Sequence, residues 1–386
     1  MLATRRAVYD KEQHMLKIPF VDLSAQYQSI EPAISTAIES VIAESAFIGG
    51  RFVSDFEKAF AAFHDVSCCI GVGNGTDALE IALESLDLPP GSEVIVPANS
   101  FIATSEAVTR AGHAVCFCDC DPTTYTISCE DAARRVTAAT KAIIPVHLYG
   151  QPCDMDSVME LASHFGLKVI EDCAQAHGAE YKGEMVGSIG DAGTFSFYPA
   201  KNLGAFGDGG AIVTNNENLA KKCRMIANHG RTAKYDHEFE GRNSRLDGLQ
   251  AAILNAKLPY LDSWTKKRRQ IASWYRTYLN NDVILAPFEH SDLLHVYHLF
   301  VVQIEKQRSN LRMFLKERGI ETGIHYPIAL PLLGAYRYLG YSAKDFPVAV
   351  GLVDRILSLP LFPELTEEMV IYICCQMNEF SFPGHG

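Results

Sequence analysis

The sequence predicts an α/β protein in which a large domain, built on a mostly parallel seven-stranded sheet, precedes a smaller α+β C-terminal domain. Three observations carry that expectation. Between about residues 68 and 215, seven short β-rich runs alternate with amphipathic stretches, the pattern of βα units. Those runs are almost continuously apolar, as strands covered on both faces must be. After Asp282 the text changes to one strand-like run with separate amphipathic segments, and 386 residues exceed one ordinary compact unit.

Taken in order, the first fourteen residues are polar and unpatterned, with Arg5 and Arg6 but no apolar core of a signal peptide. Met15 opens Leu16-Lys17-Ile18-Pro19-Phe20, so residues 1–17 are expected to form a disordered extension. The large domain with its N-terminal segment is expected over 18–262 and the small domain over 263–386. The seven runs fall at 69–72, 93–96, 114–118, 142–145, 168–171, 193–197 and 210–214. A helical stripe of Leu246, Leu249, Ala252, Ile253, Ala256 and Leu258 opens a helical region reaching to about 279. The small domain then offers a strand-like run at 299–304, an amphipathic segment at 309–318, a short segment at 321–326 and a terminal helix at 366–380. There is no internal repeat or low-complexity tract.

Composition narrows the function classes. With 48% hydrophobic and 21% charged residues the chain has the make-up of an ordinary soluble globular protein. No apolar run approaches the roughly 18 to 20 residues that span a bilayer. A net charge of −12 argues against nucleic-acid or acidic-membrane partners, which demand a basic surface. The eleven cysteines, among them Cys68-Cys69, Cys116-Cys118-Cys120 and Cys374-Cys375, lack zinc-ligand spacing. They are read as buried reduced thiols of a cytoplasmic protein, with 116, 118 and 120 on one strand face, and no metal site is expected.

Four segments carry chemistry. In Gly71-Val72-Gly73-Asn74-Gly75-Thr76-Asp77-Ala78-Leu79 a glycine-rich turn leads from a strand into a helix, where backbone N–H groups and the helix dipole suit a phosphate. The same text is compatible with a plain turn, and it matches neither a dinucleotide fingerprint nor a P-loop. Phe101 follows another strand and offers either a stacking face for a flat ring or core packing. Asp172 and Gln175 follow the apolar Val169-Ile170, at the strand end where α/β sheets place ligands, although Asp172 also suits a helix cap. Lys201 stands among aromatic residues and glycines after Phe195-Ser196-Phe197. A lysine partly removed from water there has a lowered pKa and serves as an amine nucleophile, whereas an ordinary lysine is a surface charge. Ser196 adds a hydroxyl for a phosphate.

Together these segments, with Glu171-Asp172-Cys173-Ala174-Gln175-Ala176-His177-Gly178, Phe195-Ser196-Phe197-Tyr198-Pro199-Ala200-Lys201-Asn202-Leu203-Gly204 and Asn243-Ser244-Arg245-Leu246-Asp247, resemble the DegT/DnrJ/EryC1/StrS family of sugar aminotransferases. The likeness runs from Ile18-Pro19-Phe20-Val21-Asp22-Leu23 into the C-terminal domain. It implies a fold-type-I, aspartate aminotransferase-like enzyme dependent on pyridoxal 5'-phosphate (PLP), with pyridoxamine 5'-phosphate as its second form, and a homodimer with shared active sites. By the same resemblance Lys201 is the lysine that attaches the cofactor and Asp172 the partner of the pyridine nitrogen. Gln175 lies near the ring hydroxyl and Phe101 on the ring face. Gly75, Thr76 and Ser196 hold the phosphate, with Asn243 reaching it from the neighbouring subunit.

The reaction implied moves an amino group from L-glutamate to a nucleotide-linked keto-6-deoxy sugar, in deoxyamino sugar biosynthesis such as that of lipopolysaccharide O-antigen. Gln175, Phe197-Tyr198-Pro199 and Gly323-Ile324-His325-Tyr326-Pro327 are most similar to the branch acting at C3 of dTDP-3-keto-6-deoxyhexoses, which puts Tyr198, His325 and Tyr326 near the sugar. The alternatives are amination at C4 and a non-catalytic regulatory relative. For His325 and Tyr326 a packing role is the competing reading. His177, His229 and Arg231 stay ambiguous between packing and ligand contact.

Overall fold

The computed structural model describes residues 16–381. The expected extension over residues 1–17 thus lies almost wholly outside the described residues. Two helices open the described chain, α1 (Leu23–Glu44) and α2 (Gly50–Phe63). Asp22 starts α1 by accepting the Ala25 N–H at 2.9 Å. Neither helix was read from the sequence.

The main sheet contains β1 (Cys68–Val72), β2 (Glu93–Pro97), β3 (Ala114–Cys118), β4 (Thr140–Ile143), β5 (Lys168–Asp172), β6 (Ala192–Ser196) and β7 (Gly210–Thr214). Their spatial order is β1-β7-β6-β5-β4-β2-β3. Strand β7 runs antiparallel to both β1 and β6, and the other neighbours are parallel, so the sheet is mostly parallel as expected. Val94, Ile95 and Val96 of β2 are all fully buried. A strand covered on both faces must be apolar at every position, which is why period-two alternation is absent here.

Two helices follow strands at the edge of the later site, α3 (Gly75–Ser85) after β1 and α4 (Ala103–Arg110) after β2. The helical stripe predicted from 246 to 279 proves to be two helices, α5 (Gly248–Lys257) and α6 (Leu261–Tyr278), separated by a 3₁₀ turn at Leu258–Tyr260. Pro259 supplies no N–H to a continuing helix, so the break is built into the sequence. Leu246 stays outside α5, and Asp247 caps that helix by accepting the Gln250 N–H at 2.8 Å.

A second sheet of three strands includes Phe300–Ile304 (β8) paired antiparallel with Ile356–Leu359 (β9). The terminal helix, Glu367–Glu379 (α7), packs on α6 and closes a separate core containing Ile271, Tyr275, Phe300, Leu311 and Ile373. The segment at 321–326 forms a single bridge, Gly323 to Ser358, rather than a strand.

Ten of the eleven cysteines are free thiols, Cys375 apart, and seven of the eleven are buried. The expectation of uniform burial needs correction at Cys375, which is exposed, and at Cys68, Cys116 and Cys129, which are half-buried. Strand β3 ends at Cys118, so Cys120 belongs to a bridge with Ile127 and not to the strand. No helix among the described residues is long and apolar enough to cross a membrane.

Candidate active site

The carboxyl ends of β1, β2, β5 and β6 open into a cavity of about 900 Å³, closed from the other side by residues of the segments that flank the second sheet. Parallel strands leave such a crevice beyond their carboxyl ends. Its walls bring together Gly75, Thr76, Phe101, Asp172, Gln175, Ser196, Tyr198, Lys201, His325 and Tyr326, which are ten of the eleven positions singled out in the sequence. Asn243 is the exception. It is exposed and lines no part of this cavity in its own chain, although its neighbour Ser244 donates to Asp77 Oδ2 at the first turn of α3.

One end of the cavity is the N-terminus of α3. Asn74 Oδ1 takes the Asp77 N–H at 2.8 Å, which leaves the N–H groups of Gly75 and Thr76 as orphan donors of the first turn. Two close approaches build this end. A Cβ on Gly75 would lie 2.6 Å from Ser196 Cβ, and one on Gly210 would lie 2.4 Å from the Asn74 carbonyl oxygen. Only glycine lets α3, β6 and β7 converge so tightly.

Asp172, 5% exposed, ends β5. Its Oδ2 accepts from Thr104 Oγ1 at 2.8 Å and its Oδ1 from the Ala174 N–H at 3.1 Å. No helix starts there, so the helix-cap role weighed for this residue does not apply. Burial pushes the carboxyl above its usual range, against those two hydrogen bonds and the positive charge of Lys201.

Lys201 is held by a turn in which its N–H donates to the Tyr198 carbonyl at 2.8 Å. Helix α5 grips the same loop from outside. Lys257 Nζ donates to the Gly204 carbonyl at 2.6 Å, and Gln250 Oε1 accepts the Phe206 N–H at 2.8 Å. Burial lowers the Lys201 pKa to about 8, and the Asp172 charge partly offsets that. This is the setting of a usable amine, not of a surface lysine.

Gln175 is 5% exposed, and both ends of its amide are engaged. Its Oε1 accepts the Tyr149 N–H at 2.7 Å and its Nε2 donates to Tyr326 Oη at 3.0 Å. Tyr149 Oη in turn donates to the His325 carbonyl, so this pair of residues ties the 325–326 segment to the large sheet. His325 stacks on Phe20 with ring centroids 5.6 Å apart, and its Nδ1 lies 2.8 Å from Ser358 Oγ. Burial and the Lys201 charge lower its pKa to about 4. Packing and cavity lining therefore coexist at His325 and Tyr326.

Phe101 is 54% exposed and Tyr198 57% exposed, both at the cavity mouth. Phe101 tilts against Tyr326 with centroids 5.8 Å apart, and its exposure rules out the core-packing alternative. His177 is fully buried beside Phe195 and Phe197 and does not line the cavity, while His229 and Arg231 lie at an outlying hairpin. Sequence reading missed Thr104, Tyr149, Arg268 and His298. None of them stands in a motif, and only pairing with distant residues brings them here.

A phosphorylated pyridine aldehyde fits this donor set. Orphan N–H groups at a glycine-built helix end suit the phosphate, a lysine of lowered pKa suits the aldehyde, and a buried carboxylate suits a protonated ring nitrogen. A second buried polar cluster, His147, Glu171 and Cys173, needs no ion. The Glu171 carboxylate already accepts the N–H groups of Gly187, Ile189 and Gly190 and lies 3.0 Å from His147 Nε2.

Comparison with known proteins agrees with this geometry. The DegT/DnrJ/EryC1/StrS aminotransferase family matches residues 28–378. A "Pleiotropic regulatory protein" of Geobacillus stearothermophilus is 45% identical over 95% of this chain and 99% of its own. The dTDP-3-amino-3,6-dideoxy-alpha-D-galactopyranose transaminase of Aneurinibacillus thermoaerophilus is 43% identical over 95% of this chain and 100% of its own. Among solved structures, S. venezuelae DesV in complex with a ketimine intermediate superposes with a TM-score of 0.92 at 40% identity, covering 94% of this chain and 98% of that one. The chain belongs to the DegT/DnrJ/EryC1/StrS aminotransferase family and is a PLP-dependent aminotransferase of fold type I.

Proposed function

We propose that the enzyme moves the amino group of L-glutamate to C3 of a nucleotide-linked 3-keto-6-deoxyhexose, with dTDP as the nucleotide. The observation that carries the reading is the meeting of Lys201, Asp172 and the orphan N–H groups of Gly75 and Thr76 in one cavity large enough for a sugar beside the cofactor. Similarity to a 3-amino-sugar transaminase supports the carbon, and His325 and Tyr326 on the wall opposite the sheet supply the polar lining a sugar needs.

When bound, PLP supplies the carbonyl for attachment and the electron sink for the reaction. In this reading the Lys201 amine attaches the cofactor and, once released, takes the proton from the donor Cα and returns one at the sugar carbon. Its pKa of about 8 suits both tasks near neutral pH. Asp172 holds a proton on the pyridine nitrogen, and Thr104 and Ala174 hold Asp172. The α3 N-terminus with Ser196 holds the phosphate, and Phe101 covers the ring. Gln175 reaches the ring hydroxyl only through the remaining hydrogen of its amide, so its larger contribution is to orient Tyr326. Tyr198, His325 and Tyr326 contact the sugar.

The reading includes a homodimer in which Asn243 completes the phosphate site of the partner subunit, which its exposed position supports. It also includes a cytoplasmic location, supported by seven buried reduced thiols, and a domain division after residue 262. A regulatory role without catalysis has the names of two relatives in its favour, a pleiotropic regulatory protein and a sensory transduction protein. Retention of the lysine, the carboxylate and the helix end supports the enzyme instead. The test supplies purified enzyme with glutamate and either the 3-keto or the 4-keto isomer of dTDP-6-deoxyhexose, and locates the new amine by NMR. Amination at C4 alone would overturn the assignment of carbon, and failure to take up PLP would overturn the assignment of enzyme.

A further inference from the structure

His298 lies in the 296–299 segment between the two sheets, and its place is fixed from several sides. The Val296 N–H donates to the Gly150 carbonyl at 3.0 Å and the Leu299 N–H to the Tyr149 carbonyl at 3.2 Å. From α6, Arg268 Nη1 donates to the carbonyls of Tyr297 at 3.1 Å and Leu361 at 3.0 Å. His298 lines the cavity with Lys201 and His325.

Its tautomer follows from the residue next to Lys201. Asn202 Nδ2 donates to the Val296 carbonyl at 3.1 Å, which fixes the amide so that Oδ1 faces His298 Nδ1 at 3.2 Å. An amide oxygen can only accept, so Nδ1 carries the proton. In the neutral ring Nε2 then holds a lone pair. Nε2 forms no hydrogen bond among the described residues, and His298 is half-buried at the cavity wall. The ring is kept neutral first by burial, then by the positive charges of Lys201 and Arg268, with His325 and His177 acting in the same direction.

We propose that His298 is a substrate-contacting residue whose Nε2 accepts a hydrogen bond from a hexose hydroxyl beside the reacting carbonyl. The ligand class follows from the lone pair. Apart from its reacting amine, a dicarboxylate amino donor presents only acceptor oxygens, whereas a hexose presents hydroxyl donors. His298 therefore serves the sugar half of the reaction and leaves the glutamate half nearly untouched. This rests on the keto-sugar reading above.

The test measures the two half-reactions separately by single turnover on the dimeric holoenzyme, following the cofactor spectrum. For His298→Leu the expected result is a glutamate half-reaction within about twofold of wild type and a keto-sugar half-reaction slowed at least tenfold. His298→Gln, whose amide end reaches toward the Nε2 position, is expected to recover part of the loss. Equal slowing of both halves would mark a structural role and overturn the proposal, as would no slowing of either. Independently, NMR of wild-type enzyme labelled with ¹⁵N-histidine is expected to show His298 protonated at Nδ1. An Nε2–H tautomer overturns the proposal even where the variants fail to fold. Wild-type enzyme that aminates no keto-sugar would sink the reading of function, and the tautomer would still decide whether Nε2 is an acceptor.

Discussion

The Thr104 hydroxyl donates to Asp172 Oδ2 at 2.8 Å and is itself 2.7 Å from Ser100 Oγ, so a chain of side chains from the loop after β2 reaches the carboxylate that ends β5. Thr104→Val keeps the shape and removes the donor. Burial then pushes the Asp172 pKa further up, because one of the two bonds opposing that rise is gone. We expect kcat to fall on the order of tenfold, the equivalent of about 1.4 kcal/mol. Under the proposed function Asp172 must be ionised to keep the ring nitrogen protonated, so the acid limb of the kcat profile is expected to move to higher pH. A limb that stays in place would show that Thr104 does not govern Asp172.

Folding lowers the Lys201 pKa from 10.5 to about 8, so between those values the folded chain binds fewer protons than the unfolded chain. Stability contributed by this group therefore rises with pH across that window, and below it the buried ammonium is a cost. For cofactor-free protein, Lys201→Met is expected to be more stable than wild type at pH 7, with the advantage shrinking toward pH 10. Urea denaturation at several pH values measures this. Under the proposed function the same variant lacks the amine that attaches PLP and is expected to lose turnover altogether.

At Gly75 the constraint is contact. An added Cβ would meet Ser196 Cβ at 2.6 Å, so Gly75→Ala must shift the α3 N-terminus away from β6. The orphan N–H groups move with it. We expect PLP affinity to fall at least about tenfold in an otherwise folded protein, by titration with circular dichroism as the control. Wild-type affinity would remove this helix end from the phosphate site.

Lys257 is 1% exposed and has no carboxylate within ion-pair distance among the described residues, and its ammonium is bound by the Gly204 carbonyl. Lys257→Met preserves most of the packing against Phe206 and Trp264 but leaves that carbonyl without its donor. Burial also lowers the Lys257 pKa to about 8, so at pH 7 the cost of the buried ammonium offsets part of the loss; about 1–3 kcal/mol is expected in chemical denaturation at pH 9 and a smaller loss at pH 7. Because Gly204 belongs to the Lys201 loop, attachment of PLP should also slow. Stability equal to wild type would show that the loop finds another donor.

Local text determined a large part of this protein. Seven apolar runs became the seven strands of one sheet within about two residues, since β2 and its neighbours are covered on both faces and must be apolar throughout. The glycine-rich turn at 71–79, Asp172 and Lys201 were legible because each sits at the end of such a run, where a glycine or a charge interrupts an apolar pattern. The antiparallel insertion of β7 was not legible, since strand order depends on pairings between distant segments. Neither were α1 and α2, whereas the break between α5 and α6 is marked in the text by Pro259 and was missed because the helical pattern runs on across it.

Lys201 and Asp172 were therefore given by the sequence itself, as an amine and a carboxylate at strand ends. Only the tertiary structure decided what surrounds them: Thr104 against Asp172, Lys257 against the Lys201 loop, Gln175 joined to Tyr326, and His298 turned by Asn202. The reason is physical. A residue's place along its own strand or turn follows from local periodicity and backbone preference, whereas a hydrogen bond between residues some tens to about 150 positions apart exists only once the sheet and its helices have packed.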